Sequence, residues 1–183
     1  MKVINFIGQP GGGKSTLAAG LFYLAKRAGV NCELVTEYTK DAIYEGHSFI
    51  LDDELLVFAE KYKRIKRLAR SVDLVVTDSP LINAIFYSDE FGSAGTEFFR
   101  TVAQSFDNFY VYVRRVVPYV PHARIPDSKE ADRMDGIIKG WLDSQGGAAI
   151  SVDGDDSALS KIWAKLSEEG LVPFLPPVNP PGE

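Results

Sequence analysis

Sulfur is scarce in this chain. Cys32 is the one cysteine among 183 residues, so no internal disulfide can form and no cysteine-built metal site can be assembled. Histidine is almost as rare, and His47 and His122 stand alone in the sequence, which points to no metal cluster. No apolar run approaches the length of a membrane span, and the only early one, residues 3–7, is of strand length. Lys2 precedes that run as in a secretory leader, but a glycine-rich loop follows at once, so a signal peptide is a poor reading. These absences predict a cytoplasmic protein with no membrane partner. Positive charge is short as well. The formal net charge of −5 argues against polyanion binding by the whole surface, although a cleft can focus a local field against the overall sign.

What is present begins at Gly8-Gln9-Pro10-Gly11-Gly12-Gly13-Lys14-Ser15, which fits G-x-x-x-x-G-K-[ST] at every defined position. Glycines let the backbone curl so that successive N–H groups point at phosphate oxygens, and the helix that follows adds its positive end. Gly11, Gly12, Gly13, Lys14, Ser15 and Thr16 are therefore the expected phosphate-binding set, with Lys14 reaching the β- and γ-phosphates and the Ser15 hydroxyl on Mg2+. A dinucleotide fingerprint starting at Gly11-x-Gly13 fails, because Thr16 stands where its third glycine belongs. The motif predicts binding of a nucleoside triphosphate.

Further along, apolar strand-like runs at residues 32–36, 73–77, 109–113 and 148–152 alternate with helical patterns. A long helix is expected from Asp52, with Asp53 or Asp52 as its cap and Phe58, Tyr62, Ile65, Ala69 and Val72 as its buried stripe. Ser79-Pro80 reads as a cap followed by proline at the first helical position. Alternation of this kind predicts an α/β fold, a three-layer sandwich around a five-stranded parallel sheet. Residues 1–172 form one expected domain, with an arginine-bearing lid around 114–133, and residues 173–183 a Pro-rich tail.

Ligands of open parallel sheets sit at the carboxyl ends of the strands. Those ends carry, in turn, the glycine-rich loop, Glu37, Asp78, the pair Arg114–Arg115 and Asp153. Asp78 ends an apolar strand and is expected beside Ser15 as the second metal-site residue. Ser79 follows it, where motor-type ATPases usually place a water-activating glutamate. Glu37 is the candidate general base, with Asp78 as the alternative. Among Arg114, Arg115, Arg124 and Arg133, at least one is expected to stabilise charge on the transferring phosphoryl group, and Arg114 and Arg124 are the candidates carried forward. The basic run Lys61, Lys63, Arg64, Lys66, Arg67, Arg70 reads first as a solvated helix face and second as a contact to a phosphate backbone.

A guanine-reading Asn-Lys-x-Asp and an Asp-x-x-Gly switch are missing, since Leu81 stands third after Asp78. Taken together, residues 8–16, Val35-Thr36-Glu37-Tyr38-Thr39-Lys40-Asp41, Val57-Phe58-Ala59-Glu60 and Val76-Thr77-Asp78-Ser79-Pro80-Leu81 resemble the P-loop kinases of the thymidylate-kinase-like group, and more closely a set of bacteriophage proteins often labelled only as ATPases. That set includes the 5-hydroxymethyluracil DNA kinases. The resemblance implies a kinase working with ATP and Mg2+ in an infected host cell, its acceptor the hydroxymethyl group of a modified base in DNA. A free nucleoside or nucleotide is the alternative acceptor. An NTP-hydrolysing switch or motor subunit is the alternative of another class.

Overall fold

The first strand, β1 (Lys2–Ile7), lies at the centre of the sheet because its side chains are apolar toward both faces and can be buried from either side. The computed structural model describes residues 1–87, 91–116, 128–147 and 149–174. Four further strands follow in sequence: β2 (Cys32–Val35), β3 (Leu74–Thr77), β4 (Asp107–Arg114) and β5 (Ile150–Asp153). Their spatial order is β2-β3-β1-β4-β5, and every pairing is parallel. From β1 the chain runs to the edge strand β2, returns to β3 beside β1, and then crosses to β4 and β5 on the other side, which opens a crevice at the carboxyl end of β1 between β3 and β4.

Strand side chains alternate between faces. Ile4 and Phe6 join Leu17, Leu21 and Ala25 of α1 (Lys14–Arg27) and Ile162 and Leu166 of α7 (Ala158–Glu168). Val3 and Ile7 point the other way, to Phe58 and Ile65 of α3 (Glu54–Lys66), Phe99 of α5 (Gly92–Gln104) and Ile138 of α6 (Ser128–Ser144). Helices thus cover both sides of a five-stranded parallel sheet, and the three-layer α/β architecture is the one the alternation predicted. Two short helices complete the set, α2 (Tyr38–Tyr44) and α4 (Ala84–Tyr87). Among the described residues, no helix is long and apolar enough to cross a membrane.

Local chemistry moved several boundaries. Asp53 caps α3, its carboxylate accepting from the Leu56 N–H at 2.8 Å, but the helix stops at Lys66 rather than near Val72. Bonds of the i→i+3 type from Leu68, Ala69 and Ser71 wind the chain into turns there, and Leu68 and Val72 still pack on the core. Ser79-Pro80 does not start an α-helix. The Thr77 hydroxyl takes the Ser79 N–H at 3.1 Å, Pro80 stays extended, and a 3-10 turn at Leu81–Asn83 leads into α4. β4 begins two residues earlier than its apolar run, at Asp107, which accepts from the Lys2 ammonium at 2.8 Å across the sheet edge. The tail from residue 175 onward lies outside the described residues.

Candidate active site

The glycine-rich loop leaves β1 at Gly8, whose φ is +139°. A Cβ there would lie 2.5 Å from the Val113 carbonyl oxygen of β4, so only glycine lets the loop pass this close to the neighbouring strand. α1 then starts at Lys14 with Gly13 as its cap, no side chain capping it and no acidic residue in its first turn. Helices usually meet their first N–H groups with a Ser, Asp or Asn cap. Here those donors face the crevice, which suits an anion. The Lys14 ammonium bends back over the loop and donates to the carbonyls of Gly8 and Gln9, both at 2.9 Å.

One cavity of about 600 Å³ joins the loop to a chamber under α2 and α3. Gly11, Gly13, Lys14, Ser15 and Thr16 form its floor, and Glu37 and Asp78 reach it from β2 and β3. Gly12 is buried against β4 instead, where a Cβ would stand 3.3 Å from the Val113 oxygen. Asp78 is 6% exposed, and its Oδ1 has no hydrogen-bond partner within the protein. Its Oδ2 lies 3.9 Å from the Lys40 ammonium. The same ammonium is 3.4 Å from Glu37 Oε2 and donates to Ser15 Oγ at 2.8 Å. A cation surrounded by a hydroxyl and two carboxylates, with a further carboxylate oxygen unpartnered, shows that this donor set accommodates a hard cation. Ser15 and Asp78 therefore fit Mg2+.

The arginines separate. Arg114 turns away from the cavity toward β5, its guanidinium donating to Asp153 at 2.7 Å with about half of its side chain exposed. That carboxylate raises the Arg114 pKa above the ordinary arginine value. Arg115 sits closer to the loop, 3.5 Å from the Pro10 carbonyl, with its other arm on Asp132 at 2.8 Å. Arg124 lies outside the described residues. Arg133 precedes Met134, which lines the cavity. α6 is held to the sheet beside it by a bond from the Tyr112 hydroxyl to Asp135 at 2.6 Å, and burial followed by that bond pushes the Tyr112 pKa up to about 12.

Two residues gain importance that sequence reading did not give them. Lys40, in the stretch of residues 35–41, stands three residues after Glu37 on the same helical face. Lys61 was read as part of a solvated basic face, and the structure corrects this. Its side chain is 8% exposed and lines the chamber with Asp52, Glu54 and Asn83. Burial pushes its ammonium below the ordinary lysine value, while Glu54, Glu37 and Asp78 pull it back up. The signal was available: Lys61 sits three residues after Phe58 and four before Ile65, inside the apolar stripe. Elsewhere in the basic run Arg64 is tied to Asp41 at 2.7 Å, and Lys63 to Glu60 at 3.1 Å.

Comparisons with known proteins agree with this architecture. A search of curated proteins finds no match. Among solved structures, the crystal structure of NadR protein in complex with NAD and AMP-PNP superimposes with a TM-score of 0.67 at 18% identity, over 97% of this chain and 52% of that one. The chain thus spans about half the length of NadR and shares its fold. A family model described as an AAA domain matches residues 3–157, a span that carries β1, the phosphate loop, Glu37, Asp78 and all five strands. This chain is a P-loop nucleotide-binding domain and belongs to that AAA domain family.

Proposed function

We propose that the chain is an ATP- and Mg2+-dependent phosphotransferase that passes the γ-phosphate to a hydroxyl group held in the chamber under α2 and α3. One observation carries this reading: the cavity of about 600 Å³ that begins at the phosphate loop continues under α2 and α3, with a carboxylate, Glu37, on its wall. Cavities on that scale hold small-molecule ligands. Hydrolysis alone would need no such room. The presence of AMP-PNP, an ATP analogue, in the NadR crystal supports ATP as donor.

In this reading Lys14 leaves its carbonyl partners for the β- and γ-phosphates, and the N–H groups at the start of α1 hold the phosphate chain. Ser15 and Asp78 would hold Mg2+, which would supply positive charge to offset that of the phosphates. Glu37 accepts the proton of the acceptor hydroxyl. The acceptor oxygen then bonds to the γ-phosphorus as its bond to the ADP oxygen breaks, so ADP departs as the leaving group. An arginine from the segment after β4, with Arg115 the nearest described one to the loop, steadies the charge on the transferring group.

The sequence resemblance to 5-hydroxymethyluracil DNA kinases suggests as acceptor the hydroxymethyl group of that base in DNA, a base that would have to leave the stack to reach Glu37. A free nucleoside or nucleotide is the second reading. It is favoured by the internal engagement of Lys61 and Arg64, which removes two cations from the face that DNA would need. The buried free thiol of Cys32 suits a cytoplasmic setting for either.

One assay separates the readings. γ-Labelled ATP is supplied with hydroxymethyluracil-containing DNA, plain DNA, free nucleosides and nucleotides, or water. Label on the modified DNA is expected, label only on small molecules moves the activity to the second reading, and label only in free phosphate overturns transfer altogether. In the same assay Glu37→Gln should keep nucleotide affinity while transfer falls about 10²–10⁴-fold. Unchanged transfer would hand the proton to Asp78 or another group.

A further inference from the structure

Three oxygens from three different elements converge on the Lys40 ammonium. Ser15 comes from the start of α1, Glu37 from the end of β2, and Asp78 from the end of β3. Lys40 reaches this point because α2 begins at Tyr38, directly after Glu37, so the next turn of helix lays Lys40 across the cap residue. Two of these three residues, Ser15 and Asp78, are the ones that fit Mg2+. The lysine thus stands where the metal would stand, 3.9 Å from an Asp78 carboxylate that is nearly closed to solvent.

We propose that Lys40 is the resident counter-ion of the metal site: its ammonium occupies the common focus of Ser15, Glu37 and Asp78 in the nucleotide-free protein and must leave before a divalent cation can enter. This rests on the reading of Ser15 and Asp78 as metal ligands and not on phosphoryl transfer. The physical reason is charge. Carboxylates at a partly buried site need a cation nearby, and an ammonium with three donors can serve a hydroxyl and two carboxylates together. A divalent ion and an ammonium repel at such separations, so the two exclude each other. Free metal therefore competes with a tethered cation at very high local concentration. A metal–triphosphate complex does not suffer the same penalty, because its phosphates bring negative charge that the displaced ammonium can meet beside the loop it already lines. The site accordingly takes metal together with nucleotide and holds bare metal weakly.

Mn2+ binding, followed by electron paramagnetic resonance on the full chain, tests this without any turnover. Nucleotide-free wild type should bind Mn2+ weakly. Lys40→Met should tighten it by about tenfold or more, since a like charge has been removed from the first few ångströms. Lys40→Gln serves as a second neutral variant should the methionine disturb folding, and circular dichroism checks both. Lys40→Arg, which keeps the charge, should stay weak. With a non-hydrolysable ATP analogue present, the gap between wild type and Lys40→Met should close. Equal or weaker Mn2+ binding by folded neutral variants, or Lys40→Arg binding as tightly as Lys40→Met, overturns the proposal. The labelled-phosphate panel is independent: tightening by Lys40→Met with no acceptor labelled would sink the phosphotransferase and leave the counter-ion in place, and the reverse pattern would do the opposite.

Discussion

Lys61 shows how one side chain sets the character of the chamber. Its ammonium is buried on α3 and feels Glu54, Glu37 and Asp78, yet desolvation outweighs all three and leaves its pKa below the ordinary lysine value. The sign of the stability effect follows. Between the lowered folded pKa and the unfolded value of 10.5, the unfolded chain binds more protons than the folded one, so stability rises with pH across that window. Below the folded pKa the penalty of a charged, buried lysine is present in full. Lys61→Met removes both the penalty and its pH dependence. The wild type should therefore gain stability relative to Lys61→Met as pH climbs toward 10.5, measured by urea unfolding at several pH values, where other groups cancel in the difference. A flat or falling difference would mean that the carboxylates, not burial, dominate.

At the scale of elements, the close passage of the loop beside β4 is the constraint on which the phosphate cradle depends. Gly8 combines a positive φ with a backbone oxygen 2.5 Å from any added Cβ, and both partners directly follow Ile7–Tyr112, the last pair of the β1–β4 ladder. Gly29 also has a positive φ, at the end of α1, but a Cβ there meets nothing within 4 Å. Gly29→Ala should thus cost about 1 kcal/mol from backbone strain alone. Gly8→Ala should cost roughly 2–4 kcal/mol, since strand or loop must also shift, and should weaken nucleotide binding with it. Denaturant midpoints of the two variants decide this, and equal losses would show that the loop can move away from β4 freely. The same elements explain what the sequence made legible. Apolar runs bounded by turn residues gave all five strands, and the glycine spacing gave the loop, because these patterns are local. The turn after Asp78 was missed because the Thr77 hydroxyl captured the Ser79 N–H, a competition between two good caps that composition does not rank. Lys61 was missed because a run of six basic residues reads as one face until the helix is wound, when spacing sends Lys61 inward and Arg67 outward.

On the scale of the whole molecule, the question is where a chain of net charge −5 could meet a polyanion. The chamber runs along α3 as far as Lys61, and the last basic residue of the helix, Lys66, stands about 8 Å further along its axis. The cations of its last turn, Lys63, Arg64 and Lys66, lie where the helix dipole is negative, which gives them a role within the helix itself. Arg67 and Arg70 are exposed beyond that end, on the side of the sheet away from the phosphate loop. A DNA strand whose target base sits beside Glu37 would take its backbone contacts near the chamber mouth, and the arginine segment after β4 follows a strand that ends there. On the reading in which DNA is the acceptor, charge reversal at Arg67 and Arg70 together should therefore leave the KM for hydroxymethyluracil-containing DNA within about twofold of wild type at any salt concentration, as for surface changes remote from a site. Contacts to backbone phosphates would behave otherwise: each one lost lowers the salt slope of log K by about 0.9 for duplex DNA. A reversed variant whose KM rises tenfold at low salt, and recovers toward wild type as salt is added, would place the DNA along α3 and make this helix, rather than the segment after β4, the track that leads the modified base to the chamber.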